Sequence, residues 1–500
     1  AAGLWDRERR ELVLARDPLG IKPLYYSFDG RRLAFSSELR SLLASGLDPA
    51  LDRAGLLEYL AFGKVHAPRT VFRDALKLLP GHLLRLGTEG LRLEAFWRLP
   101  GAGAPPGSLE EEVERLDRLL SEAVRGAMLS DVPLGAFLSG GVDSSLVAAY
   151  MVRHAGSQRV RTFSVGFPGA PGVDESAYAR EASRHLGTEH QELLLPGEIL
   201  GRLEESIGVL DEPIADSAIL PTYLLARFAR GSVKVVLTGE GADELFAGYD
   251  RHKAAWVNEG LRRLPAWGRS LAAPLARRLG KGAVFAGLPM AGPREWARAT
   301  ASSRPSDLKA LLHPDFWESA RQADPFAWLK AWEGEGPGEP SGSLSLNKAL
   351  AVDLRSVLCD SLLMKVDKST MRASLEARVP FLNAPVVEYA MGLPPAFKIR
   401  HFKGKYLLRL VAEKHLPRRI AWRRKHGFIV PWEAWVRSPE NPSVDGLLSD
   451  PGFAARGVFD LQGLRLFRKE LLRGGRDLEA GLFFRIVVLG LWLGSLEGAS

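Results

Sequence analysis

The chain has 500 residues, 46% apolar and 25% charged, the balance of a folded globular protein long enough for two cores or more. Basic residues exceed acidic ones by 67 to 59, a net charge of +8 that suits an anionic ligand without requiring nucleic acid. A single cysteine, Cys359, excludes an internal disulfide framework and a cysteine-rich zinc site, and it predicts a reducing, cytoplasmic setting.

Taken in chain order, the first fifty residues read as strands and turns. Leu12-Val13-Leu14-Ala15 precedes the turn signal Asp17-Pro18-Leu19-Gly20, and Pro23-Leu24-Tyr25-Tyr26 is a second strand. Asp29-Gly30 is a turn, Leu33-Ala34-Phe35 a third strand, and Ser36-Ser37-Glu38 opens a short helix. A mixed stretch runs to about residue 100, with a turn at Leu79-Pro80-Gly81-His82. Gly101-Ala102-Gly103-Ala104-Pro105-Pro106-Gly107 is the clearest linker and sets the main boundary. Three segments follow from this: 1–50, a connecting segment 51–107, and 108–500.

Beyond the linker, helices and strands alternate. Helices are predicted at 108–125, 144–153, 175–186 and 219–230, with strands at 135–138, 161–167, 190–195 and 233–237. Such alternation predicts an α/β unit with a parallel sheet covered by helices on both faces. From about residue 250 the pattern is mainly helical. The most apolar stretch, 486–493, falls well short of the roughly 20 residues of a membrane span, and Arg485 interrupts it. It reads as a buried terminal element, and no signal peptide or membrane partner is expected.

The stretch Leu138-Ser139-Gly140-Gly141-Val142-Asp143-Ser144-Ser145 follows a strand and opens a helix. Glycines let backbone approach an anion, and a helix N-terminus offers free N–H groups and a positive dipole end. Ser139, Ser144 and Ser145 add hydroxyl donors. Asp143 would repel a bare phosphate, which points to a divalent cation between them. The Gly-Lys-Ser/Thr ending of a Walker loop is missing. A second loop, Thr238-Gly239-Glu240-Gly241-Ala242-Asp243-Glu244, follows the apolar strand ending at Leu237. Ligands of open parallel sheets bind outside the carboxyl ends of the strands, so both loops are expected at one edge, with Asp143 and Asp243 sharing magnesium.

The first loop resembles the pyrophosphate loop of the N-type ATP pyrophosphatases, which are adenine nucleotide alpha hydrolase-like. The longer stretch from Thr238 to Tyr249 narrows the resemblance to the asparagine synthetase B family, the glutamine-hydrolysing type. Asp211-Glu212-Pro213-Ile214-Ala215-Asp216-Ser217, Ser374-Leu375-Glu376-Ala377-Arg378-Val379-Pro380-Phe381-Leu382, Lys405-Tyr406-Leu407-Leu408-Arg409 and Arg423-Arg424-Lys425-His426-Gly427-Phe428 agree with it.

The resemblance implies that a carboxylate, first of all L-aspartate, attacks the α-phosphorus of ATP, and that ammonia then attacks the acyl-adenylate to give asparagine, AMP and pyrophosphate. It assigns pyrophosphate to Ser139, Gly140, Gly141, Asp143, Ser144 and Ser145, and magnesium to Asp143 and Asp243. It assigns the rest of ATP to Phe137, Val165, Thr238 and Gly239. Glu240 is implied in intermediate formation or proton removal, and Lys425 in stabilising charge on the reacting group. Lys368 and Arg378 are implied as phosphate or carboxylate contacts. Tyr249 and Glu376 match a tyrosine–glutamate pair that accepts a proton in β-lactam synthetase relatives, with a purely structural hydrogen bond as the other reading.

Two departures stand out. Asn383 follows Phe381-Leu382 where the family usually has aspartate; a helix cap is the expected role. Residues 16–26 and 36–38 resemble the last part of the family's glutaminase, an αββα N-terminal-nucleophile domain that opens with cysteine. This chain opens with Ala1, so 1–50 is expected to be a remnant of that domain, with bare strand edges and about a hundred upstream residues lacking. Glutamine hydrolysis is then expected to be absent, with free ammonia as donor.

The basic clusters Arg251-His252-Lys253 and Arg418-Arg419 with Arg423-Arg424-Lys425 lack the aromatic interleaving of a single-strand platform. Small-molecule partners are therefore expected rather than nucleic acid, and a homodimer is compatible with the reading. His185 and His190 read as surface residues without metal-ligand context. The adenylating core fits relatives that amidate sugars, peptides or other acids, so the motifs define the reaction better than its acceptor.

Overall fold

One parallel sheet and two antiparallel sheets frame the computed structural model, which describes residues 1–497 except 102, 104, 169–173, 197–198, 209, 280–284, 286–287, 302, 304, 335–343, 425–429 and 431. Seven strands lie in the first hundred residues: β1 (Ala2–Asp6), β2 (Glu11–Ala15), β3 (Tyr25–Phe28), β4 (Leu33–Ser36), β5 (Leu76–Lys77), β6 (His82–Gly87) and β7 (Gly90–Ala95). They form an antiparallel sheet in the order β1-β2-β6-β7 and a second in the order β4-β3-β5. Leu14 and Leu84 from one sheet share a small buried cluster with Leu24, Tyr26 and Leu78.

These pairings correct the expected division at residue 50. Leu12 to Ala15 pair with Leu86 to Leu83, and Tyr25-Tyr26 with Lys77-Leu76, so 1–50 and 51–107 share both sheets. Sequence reading missed β6 and β7 because their alternation leaves one face to solvent and no continuous apolar run marks them. The exposed apolar residues of this part are Leu4, Trp5, Phe35, Leu93 and Phe96, whereas Tyr25 is buried.

Five strands make the parallel sheet: β8 (Leu134–Phe137), β9 (Arg161–Gly166), β10 (Glu189–Leu194), β11 (Val235–Leu237) and β12 (Glu376–Arg378). Their order is β10-β9-β8-β11-β12, all parallel. The chain winds outward from β8 through β9 to β10, then crosses to β11 on the other side of β8. The gap between β8 and β11 is thus the topological switch point, where helices leave to opposite faces and open a crevice at the carboxyl ends. Alternation along β11 divides two cores: Val236 packs on one face, Val235 and Leu237 on the other.

Helix Leu109–Ala127 covers one face; its start is fixed by a capping box between Ser108 and Glu111, and Leu116, Leu120 and Val124 point inward. Helix Val142–His154 is buried over most of its length, as expected of an element inside a doubly covered sheet. The opposite core contains helix Ile219–Arg230 and the terminal helix Asp477–Glu497. That last helix is longer than the sequence suggested. Its Glu479–Leu496 segment is long and apolar enough to cross a membrane, yet 67% of it is buried inside the fold. Arg485, which interrupts the apolar run, donates to the carbonyls of Leu60 (2.7 Å) and Ala61 (3.1 Å), and Tyr59 donates to the Arg485 carbonyl. A buried guanidinium satisfied by helix-terminal carbonyls marks this helix as core.

Candidate active site

The two glycine loops meet at the switch point. β8 leads through residues 138–141 into the helix starting at Val142, and β11 leads through 238–241 into helix Ala242–Phe246. A Cβ on Gly239 would lie 2.8 Å from Asp143 Cβ and 2.9 Å from Ser144 N, so only glycine lets the loops touch. Gly140 has φ +69, and a Cβ there would run into the backbone of Tyr178 and Ala179. The first loop is braced from within: Ser139 N donates to Ser144 Oγ at 3.2 Å and Gly141 N to Ser139 Oγ at 3.3 Å.

A cleft of about 370 Å³ opens there. Of the residues singled out from the sequence, Phe137, Ser139, Asp143, Ser144, Val165, Thr238, Gly239, Glu240, Asp243 and Tyr249 line it. Gly141 lines a smaller adjoining recess with Asp143, Lys405, Arg409, Arg423 and Arg424, a cationic corner beside the loop. Ser145 lies fully buried beneath the loop. Arg423 reaches the loop directly, donating to the Ser139 carbonyl at 3.4 Å while stacking on Tyr178 and pairing with Glu175.

Asp143 and Asp243 converge on one ammonium. Lys405 Nζ lies 2.5 Å from Asp143 Oδ2 and 2.7 Å from Asp243 Oδ1, with the lysine side chain 4% exposed. Burial alone would lower its pKa, but the two carboxylates outweigh it and hold the pKa above its ordinary value. Two carboxylate oxygens that share a cation suit a hard divalent ion completing its shell with phosphate and water. Among the described residues, no group of three or more His, Cys, Asp or Glu side chains could hold a metal ion.

Three residues were missed from sequence alone. Lys405 lies in a quoted stretch but was given no role, although a lysine at a helix N-terminus opposes the helix dipole and so signals a specific task. Asp216 and Lys365 both line the cleft and form an ion pair at 3.0 Å. Burial opposes the Lys365 charge, and Asp216 and Glu240 outweigh it to raise its pKa.

Other expectations are corrected. Lys368 lies outside the cleft; it is buried against Asp211 and donates to the Ser37 carbonyl at 2.9 Å. Glu376 is not the partner of Tyr249. The register Val235↔Glu376 puts it at the amino end of the sheet, where it pairs with Arg378 at 2.8 Å, and Arg378 in turn donates to the Ala127 and Leu129 carbonyls. The Tyr249 hydroxyl donates instead to Glu244 Oε1 at 2.6 Å. Burial, with Glu244 and Asp243 nearby, pushes that phenol's pKa well up, so it stays protonated. Arg251 stacks on the Tyr249 ring at 4.1 Å and is anchored by Asp353.

Asn383 occupies the N-cap position of helix Ala384–Gly392 but makes no side-chain cap bond. His190 is half-buried between Thr162 (3.0 Å) and Ser164 (3.1 Å) rather than on the surface. Lys425 lies outside the described residues. Cys359 is buried 3.8 Å from an Arg16 nitrogen; burial, with Asp360 adding to it, pushes its thiol up to about 12, the state of an inert core thiol.

A parallel sheet with two acidic, glycine-bearing loops at its switch point defines an α/β protein whose ligand crevice lies at the carboxyl ends of the strands. Comparison with known proteins carries this to a family. Asparagine synthase matches residues 115–493, and a glutamine amidotransferase domain matches 1–97. Similar relatives include asparagine synthetase [glutamine-hydrolyzing] 1 of Bacillus subtilis, 31% identical over 89% of this chain and 70% of that protein. A putative asparagine synthetase of Mycobacterium tuberculosis is 33% identical over 88% of this chain and 68% of its own length. Amidase chyE of Penicillium rubens is 27% identical over 91% of this chain and 73% of its own length. The chain belongs to the asparagine synthase family, whose members use ATP.

Proposed function

We propose that this chain carries out the synthetase half-reactions of an ATP-dependent amidotransferase, with L-aspartate as the acyl substrate. A carboxylate oxygen of the substrate attacks the α-phosphorus of ATP. The bond from that phosphorus to the bridging oxygen breaks, and pyrophosphate leaves. Ammonia then attacks the acyl carbon, AMP departs, and the amine gives up a proton. The single observation that carries this reading is the convergence of Asp143 and Asp243 on Lys405 beside the Gly140-Gly141 loop at the switch point.

Ser139, Gly140, Gly141 and Ser144, with the cationic corner of Arg409 and Arg423, hold the pyrophosphate end, and Ser145 packs beneath them. Phe137, Val165, Thr238 and Gly239 line the space for the nucleoside. Asp143 and Asp243 would hold magnesium, which neutralises phosphate charge when bound. Lys365, held by Asp216, directs positive charge into the cleft where negative charge develops. Glu240 takes the proton from the incoming amine, and Tyr249 with Glu244 orients the acceptor. Lys425 stabilises charge on the reacting group.

In the same proposal, residues 108–500 form a synthetase unit of the N-type ATP pyrophosphatase kind, and 1–97 are the closing part of an αββα glutaminase unit. Glutamine would supply ammonia in the whole protein, the setting would be cytoplasmic, and a homodimer would be its assembled form. Relatives named as amidases support a second reading, in which the acyl substrate is another acid.

The test is ATP–pyrophosphate exchange against a panel of carboxylates. Exchange with aspartate, and asparagine formed from ammonium, is the expected result. Exchange with another acid alone moves the assignment to the second reading, and no exchange with any acid overturns adenylation.

A further inference from the structure

We infer that Lys405 is a resident cation that keeps the seat between Asp143 and Asp243 filled, so that a divalent metal enters only together with the nucleotide's phosphates. This rests on the adenylation reading and concerns the order in which that site is loaded.

The ammonium is built into the seat. Its side chain is buried, and its nitrogen is within 2.7 Å of a carboxylate from each loop. The backbone that delivers it is fixed in the left-handed region at φ +57, with Lys405 N donating to the Phe246 carbonyl at 2.8 Å. The approach is tight on both sides. A Cβ on Gly248 would strike Lys405 Cε and Asp243 Oδ1, and one on Gly404 would strike the Ala247 carbonyl oxygen. A lysine threaded through two such gaps at a helix N-terminus, against the dipole, is placed there for its charge.

The charges on the page then set an order. Two carboxylates already neutralised in part by one ammonium offer a divalent ion little net attraction, and the ion would stand close to a like charge in a low-dielectric cleft. A triphosphate changes this balance. Its oxygens bring negative charge to the recess lined by Lys405, Arg409, Arg423 and Arg424, giving the ammonium a new partner and freeing the carboxylates for the metal. Metal and nucleotide would therefore bind with positive coupling, and the coupling would depend on the charge at position 405.

The experiment follows Mn²⁺ binding by electron paramagnetic resonance in the 500-residue chain, without nucleotide and with saturating α,β-methylene ATP. Wild type and Lys405→Arg are expected to bind Mn²⁺ alone weakly and to tighten with the analogue. Lys405→Gln, near-isosteric and neutral, is expected to bind Mn²⁺ alone about tenfold or more tighter than wild type, and adding Asp143→Asn to it removes the gain. Equal nucleotide-free affinity in Lys405→Gln and wild type overturns the inference. So does wild type that binds the analogue yet holds Mn²⁺ no more tightly with it than alone, a result that needs no variant to fold. Failure of the adenylation reading looks different: the analogue itself binds to no chain, while the nucleotide-free gain of Lys405→Gln persists.

Discussion

Lys77 Nζ lies 2.6 Å from Glu212 Oε2, both side chains buried, with Asp360 Oδ1 3.5 Å from the same ammonium. Lys77 ends strand β5 of the N-terminal part, while Glu212 belongs to the Asp211–Asp216 stretch that also gives Asp216 to the cleft. The same stretch is gripped by Lys368 at Asp211 and by Lys365 at Asp216. Three lysines thus hold three carboxylates of one loop, and the N-terminal sheets are tied electrostatically to the wall of the site.

Breaking that tie from one side leaves a buried uncompensated charge. Lys77→Met is expected to destabilise the fold by about 3–5 kcal/mol, because two carboxylates lose their cation. Urea denaturation at neutral pH reads it, and a midpoint equal to wild type refutes the assignment.

The same cluster gives a pH dependence. Burial raises the Glu212 carboxyl from its ordinary 4.5 to about 7, although Lys77 pulls the other way. A carboxyl whose folded pKa lies above its unfolded one favours the fold fully below the unfolded value and loses that contribution as pH rises through the folded value. From pH 5 to 8, wild type is therefore expected to lose on the order of 1–3 kcal/mol relative to Glu212→Gln. Parallel stability curves for the two chains would exclude this.

Lys365 and Lys368 sit one turn apart and are expected to behave differently. Lys365→Met removes the charge facing the cleft, and exchange activity is expected to fall about 10²-fold. Lys368→Met is expected to lower Tm while the folded fraction keeps its exchange rate. The reverse assignment of losses would move the functional lysine to 368.

Glycine at 248 is required by space rather than by φ. Gly248→Ala drives a methyl into Asp243 and Lys405, so Mn²⁺–nucleotide binding is expected to weaken about tenfold or more, with little change in far-ultraviolet circular dichroism. Binding within twofold of wild type would show that the two side chains can retreat.

Cys359 is the single cysteine of these 500 residues and is buried. It is expected to resist thiol reagents in the native state and react after denaturation. Rapid native labelling, or glutamate release abolished by Cys359→Ala, would contradict the inert assignment.

Much of this was legible before any coordinates. The loops at 138–145 and 238–244 announce themselves locally, because a buried strand, a glycine-rich turn and a helix start each leave a signature within a few residues. The alternation of elements was enough to predict a parallel sheet, and the terminal apolar run enough to predict a buried element. Local sequence by itself determined these because each depends on near neighbours.

The tertiary structure decided what depends on register and on the paths of loops. Glu376 and Glu244 are equally acidic in sequence, but the pairing of β12 with β11 carries Glu376 to the amino end of the sheet and leaves Tyr249 to Glu244. Lys365 and Lys368 stand one turn and about 60° apart on a helix, close enough to grip the same loop, and only the path of that loop gives one Asp216 in the cleft and the other Asp211 outside it. Lys405 stands 262 residues from Asp143, and only the folding of distant segments around the switch point brings its ammonium between the two aspartates. No local pattern encodes such a meeting, since its energy comes from charges that become neighbours only after the sheet has closed over its two cores.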